Sequence, residues 1–138
     1  MPSSTVLLAE PDSATRTAVR SRLEENGFTV LEAPSGVEAL SMANRSEIAL
    51  VIAELYLEAG QDRCLVQAIR HAPALRRTRV LAFTSHAKRA DRDWAVSAGA
   101  DGYVLKASGQ DRLVAVVNRL ASRTQSRTEK LRAARTSK

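Results

Sequence analysis

A chain of 138 residues, 44% hydrophobic and 26% charged, suits one domain around a single core. Its lone cysteine, Cys64, excludes an intrachain disulfide, and no apolar run approaches the roughly 20 residues that a membrane helix needs. Met1-Pro2-Ser3-Ser4 carries no basic leader, so a soluble, cytoplasmic protein with no membrane contact is expected. The net charge of +6 is uneven: from Ala121 to Lys138 six cations face Glu129 alone, a net of +5. The body is near neutral, and the tail, 122–138, is read either as a solvated extension of the last helix or as disordered. It holds no aromatic residue to stack bases, so non-specific, salt-sensitive contact with nucleic acid is its lesser reading beside a solubilising one.

In chain order, Val6–Ala9 is an apolar run that reads as a first strand and ends on the acid Glu10. A helix follows over Ser13–Glu25, capped by Asp12 or Ser13 and stopped at Gly27. Phe28–Leu31 is a second strand. Ser35 and Glu38 are spaced as a capping box that opens a helix burying Val37, Leu40 and Ala43. Ile48–Ala53 is a strand apolar on both faces, closed by Glu54. A third helix covers Arg63–His71, with Leu65, Val66 and Ile69 inward and Pro73 as its stop. Val80–Phe83 is a fourth strand ending in Thr84 and Ser85, Ala90–Ala98 a fourth helix stopped by Gly99, and Gly102–Leu105 a fifth strand ending in Lys106. Ser108 and Asp111 are spaced as a further capping box, and Leu113, Val116, Val117 and Leu120 stripe a fifth helix. Five alternating βα units predict a parallel sheet with helices on both faces and one domain over 1–121. Runs ending in acid, acid, hydroxyl and ammonium predict one polar site at the carboxyl ends of the strands.

Four stretches carry a family resemblance: V-L-L-A-E-P-D (6–12), L-V-I-A-E-L (50–55), L-A-F-T-S-H-A (81–87) and A-G-A-D-G-Y-V-L-K (98–106). Over roughly residues 5–121 the chain resembles the receiver domain of bacterial response regulators. The resemblance implies a flavodoxin-like, doubly wound sheet of order 2-1-3-4-5 and two-component or phosphorelay signalling. It implies a phosphoacceptor at Glu54, an acidic Mg²⁺ pocket at Glu10 and its neighbours, a switch hydroxyl at Thr84, a switch aromatic at Tyr103 and a phosphate-contacting lysine at Lys106. Two positions depart from the family. Glu54 stands where the family has Asp, and Pro11 stands where it has its second acid. Pro11 offers neither a side-chain oxygen nor an N–H, and Asp12, one residue on, serves either as a helix cap or as a weak metal candidate beside Glu10 and Glu54.

The reading is therefore an atypical pseudo-receiver, not an enzyme, that needs no cofactor and has Mg²⁺ disfavoured by Pro11. In it a Glu54–Lys106 contact holds the pocket in one state. Its partners are a histidine kinase or a downstream regulator, and homodimerisation would use the face of the fourth helix, fifth strand and fifth helix. Trp94 and Tyr103 are its candidate partner-surface residues. The alternatives are a Mg²⁺-dependent phosphoaccepting receiver and a small enzyme or flavin or nucleotide binder on the same fold. Against the last, the loop Glu10-Pro11-Asp12-Ser13 is acidic and has no glycine to cradle a phosphate.

Overall fold

The computed structural model describes residues 4–121; the tail 122–138, expected to be a helix extension or disordered, lies outside them. The elements are β1 (Thr5–Ala9), α1 (Ser13–Glu25), β2 (Thr29–Ala33), α2 (Gly36–Arg45), β3 (Leu50–Ala53), α3 (Leu65–His71), β4 (Arg79–Thr84), α4 (Arg89–Ala98) and β5 (Gly102–Leu105). A final helix, α5, starts at residue 110 and runs at least to 121. The strands form one parallel sheet of order β2-β1-β3-β4-β5. The fold is the flavodoxin-like doubly wound sheet.

The sheet divides the core by strand alternation. Val6, Leu8, Leu50, Ile52, Leu81 and Phe83 face α1 and α5, where Val19, Leu23, Leu113, Val116, Val117 and Leu120 close over them. Leu7, Ala9, Val51, Ala53 and Val80 face the other way, onto Ala39 and Ala43 of α2 and Leu65, Val66 and Ile69 of α3. A smaller cluster of Leu55, Ala82 and Ala95 seats α4, with Trp94 and Tyr103 packed against it. Because β3 is covered on both sides, its four residues are all buried, and the chain becomes polar only at Glu54.

Several boundaries differ from expectation for local reasons. Helix α3 starts at Leu65, because Cys64 caps it from outside and its N–H reaches the Gln67 side chain at 3.1 Å. Cys64 is thus half-buried at the helix entrance rather than a core residue on the helix. Val37 is not buried. It is 59% exposed, and α2 instead buries Gly36, Ala39 and Ala43, one helical stripe of small residues. The box expected at Ser108 and Asp111 does not form. Lys106–Ser108 make a 3₁₀ turn, Gly109 precedes the helix, and Asp111 pairs with Arg22 of α1. The end of α4 follows the expected pattern: Gly99 takes φ 104°, and its N–H returns to Ala95 and Val96.

Candidate functional site

Register alone brings the polar strand ends together. Ala9 of β1 pairs with Ala53 of β3, so Glu10 and Glu54 leave the sheet side by side. Ala53 pairs with Ala82 on the other side, which puts Thr84 beyond the end of β3, and Thr84 pairs with Leu105, the residue before Lys106. Backbone hydrogen bonds continue past the strand ends, from Glu10 N–H to Ala33 at 3.1 Å and from Glu54 N–H to Ala9 at 3.4 Å. The four side chains therefore start from a rigid platform rather than from free loops.

Lys106 lies at the centre. Its Nζ is 2.6 Å from Glu10 Oε1 and 3.1 Å from Glu54 Oε1. The expected Glu54–Lys106 contact is present, but the shorter contact is to Glu10, which is only 3% exposed. The two strand-end acids share one ammonium.

The electrostatics follow from these contacts. Burial pushes the Glu54 carboxyl upward, but hydrogen bonds from Thr84, Lys106 and the Leu55 N–H outweigh it, and the net shift is downward. The Leu55 N–H donates to Glu54 Oε2 at 2.7 Å. Burial works against the Lys106 ammonium, yet Glu10 and Glu54 together raise its pKa. Glu54 and Lys106 thus each favour the charged form. Thr84 is fully buried, and its Oγ1 also accepts the His86 N–H at 3.2 Å.

Asp12 does not join the pocket, in contrast to the acidic pocket expected of Glu10 and Asp12. Its carboxylate caps α1, accepting the Thr15 N–H at 2.9 Å and the Thr15 hydroxyl at 2.5 Å. Those bonds, the hydroxyl first, hold its pKa below the usual value. Pro11 points no donor into the pocket, and the carbonyls of Glu10 and Pro11 are taken by Arg16 at 2.8 and 3.4 Å. Arg16 escaped the sequence reading; its signal is a guanidinium one turn into the helix that follows an acid-bearing loop.

Around the pocket mouth lies an aromatic group. Tyr103 Oη donates to the His86 carbonyl, and Arg92 lies 5.3 Å over the Tyr103 ring. The Trp94 and Tyr56 rings lie 5.0 Å apart, and the Tyr56 and His86 rings lie 4.8 Å apart and nearly perpendicular. Tyr56 Oη donates to Asp91 at 2.5 Å, which pushes the phenol up to about 12. Tyr56 and His86 were not expected to contribute; the signal is their position two residues past Glu54 and Thr84.

Mg²⁺ takes near-octahedral oxygen donors, commonly one or two carboxylates with waters and phosphate. The described residues hold no group of three or more His, Cys, Asp and Glu side chains able to take a metal ion. The two inward carboxylates are both engaged by Lys106, and Asp12 is turned onto Thr15. As arranged, these residues do not fit the ion.

A parallel sheet of this order, with acids after β1 and β3, a hydroxyl closing β4 and a lysine after β5, defines a receiver-type signalling domain. The chain belongs to the response regulator receiver domain family, whose model matches residues 6–118. It is 33% identical to the response regulator protein PmrA of Pseudomonas aeruginosa over 88% of this chain, which spans 54% of that relative. It is 30% identical to the chemotaxis protein CheY-3 of Vibrio cholerae, over 73% of this chain and 78% of the relative. Among solved structures, a response regulator from Thermotoga maritima superposes with a TM-score of 0.75 at 28% identity, covering 87% of this chain and 98% of that one. The receiver domain of the sensor histidine kinase PA1611 from Pseudomonas aeruginosa, solved with a magnesium ion in its active-site cleft, superposes at 0.77 with 22% identity over 87% of this chain and 98% of its own. Among the described residues no helix is long and apolar enough to cross a membrane.

Proposed function

We propose that this receiver domain signals by binding a partner protein without being phosphorylated, as a pseudo-receiver of a two-component pathway. The observation that carries the reading is the Lys106 ammonium held between Glu10 and Glu54. In the family, the position of Glu54 accepts the phosphoryl group and the lysine contacts its oxygens. Here the lysine is already satisfied by carboxylates, and Glu54 is one methylene longer than the usual Asp. A displacement of the nucleophile by about 1 Å costs on the order of a hundredfold in rate. Thr84 and Tyr103 support the same reading. The Thr84 hydroxyl serves Glu54, and the Tyr103 hydroxyl is tied to the loop after β4. The pocket state that partners sense is then built into the chain. The partner is a histidine kinase or a downstream regulator in the cytoplasm. The α4–β5–α5 face, with Arg92 over Tyr103 and Val96 exposed beside them, is the surface offered to it or to a second copy.

The test is intact mass after incubation with a small-molecule phosphodonor and Mg²⁺, for the wild type and Glu54→Asp. No gain in the wild type is expected, whatever Glu54→Asp does. A gain of one phosphoryl mass on the wild type overturns the reading and makes the chain a phosphoaccepting switch with a glutamate acceptor. Gain on Glu54→Asp alone would assign the block to Glu54.

A further inference from the structure

The acids at the strand ends need a counter-cation, and the chain supplies one covalently. Lys106 Nζ meets the nearest oxygen of Glu10 at 2.6 Å and of Glu54 at 3.1 Å. Its side chain is 26% exposed, against 4% for Glu10 and 21% for Glu54, so solvent screens these contacts only in part. The lysine is also anchored: Leu105 pairs with Thr84 in the sheet, a 3₁₀ turn begins at Lys106, and the Phe83 ring lies 5.8 Å from the ammonium. A divalent ion entering between Glu10 and Glu54 would have to break two charge-assisted hydrogen bonds, shed its own waters and leave a displaced ammonium beside it.

We infer that Lys106 is the resident cation of this pocket, and that it, rather than the acid missing at Pro11, keeps a divalent cation out. The inference rests on the same pocket as the proposed function and deepens it: the pocket state would be independent of Mg²⁺ because its cation is tethered. It also explains how Glu10 is buried. Without Lys106, the Asp12 N–H at 3.4 Å is a weak remaining donor to its carboxylate.

The experiment uses the full chain and Mn²⁺ alone, an ion with the same preference for oxygen donors as Mg²⁺. The readout is paramagnetic broadening of backbone amides in ¹H–¹⁵N spectra. The wild type should show no broadening centred on Glu10, Glu54 and Lys106. Lys106→Met should gain broadening centred on Glu10 and Glu54 at Mn²⁺ concentrations that leave the wild type unbroadened. Pro11→Asp, which restores the acid but keeps Lys106, should stay as weak as the wild type. If Lys106→Met does not give a folded spectrum, Lys106→Gln, which keeps a neutral donor toward Glu10, takes its place. The inference is overturned if the wild type binds Mn²⁺ at the pocket, if Pro11→Asp alone gains it, or if the folded Lys106 variant gains nothing. A wild type that binds no Mn²⁺ yet gains a phosphoryl mass sinks the proposed function and leaves this inference standing. A wild type that binds Mn²⁺ without gaining mass does the reverse.

Discussion

Glu10 and Glu54 carry the same group and touch the same ammonium, yet they occupy different electrostatic settings. The Glu10 side chain is 4% exposed, and that of Glu54 is 21% exposed. A charge contact is stronger where water is excluded, so the Glu10 contact to the shared ammonium counts for more than the Glu54 contact, although Lys106 keeps one carboxylate when either acid is removed. Glu54 has further donors in the Leu55 N–H and Thr84, so its loss is spread over several contacts. Glu10→Gln should therefore destabilise the chain by about 1–3 kcal/mol, and Glu54→Gln by less, as measured by urea denaturation near neutral pH. The reverse order would mean that Lys106 is held chiefly by Glu54. The sequence pointed to the Glu54 contact because the family's own chemistry runs through that position. The Glu10 contact follows from register, with Ala9 opposite Ala53, and register between strands distant in sequence is not written in either strand alone.

At the scale of elements, the loop between β3 and α3, which begins at Glu54, leans on the start of α2. A Cβ on Gly36 would fall 2.0 Å from the Glu58 carbonyl oxygen, a backbone atom that cannot step aside alone. Gly36→Ala should push the loop off α2 and cost about 1–3 kcal/mol in thermal or urea unfolding. A neutral Gly36→Ala would show that the loop is not seated there. The pattern of elements was legible because each apolar run and each cap is a local signal. Asp12 caps α1, the Ser35 hydroxyl accepts the Glu38 N–H at 3.2 Å, and Gly99 ends α4. The errors arose where a tertiary contact overrode a local signal. Val37 has the apolar character of a core residue, but α2 lies on the sheet through its alanines and leaves Val37 outside. Asp111 has the spacing of a capping residue, but Arg22 of α1 takes its carboxylate.

For the whole molecule, the two apolar layers contribute stability that does not depend on pH, so the pH dependence falls to ionisable groups, among them Asp12 at the start of α1 and the groups around the pocket. Glu54 is shifted downward from 4.5 on folding. Its contribution is present above that value and is lost as pH falls through its lower folded pKa, where the unfolded chain binds the proton first. Lys106 is shifted upward from 10.5, so its contribution is present below that value and is lost as pH rises through its higher folded pKa. Tyr56, raised from 10.0 to about 12 by its bond to Asp91, favours the folded state in its neutral form and adds to the same alkaline loss. The urea midpoint should thus be flat from pH 4.5 to 10.0 in respect of these groups and fall on both sides. Glu54→Gln should shallow the acid limb by removing one of the carboxylates, beside Asp12 and Asp91, that must be protonated. Lys106→Met should shallow the alkaline limb, and Tyr56→Phe should shallow it further. If both limbs keep their slope in Glu54→Gln and Lys106→Met, the ions at the strand ends are not coupled to folding, and the lysine-centred pocket is not a fixed part of the folded molecule.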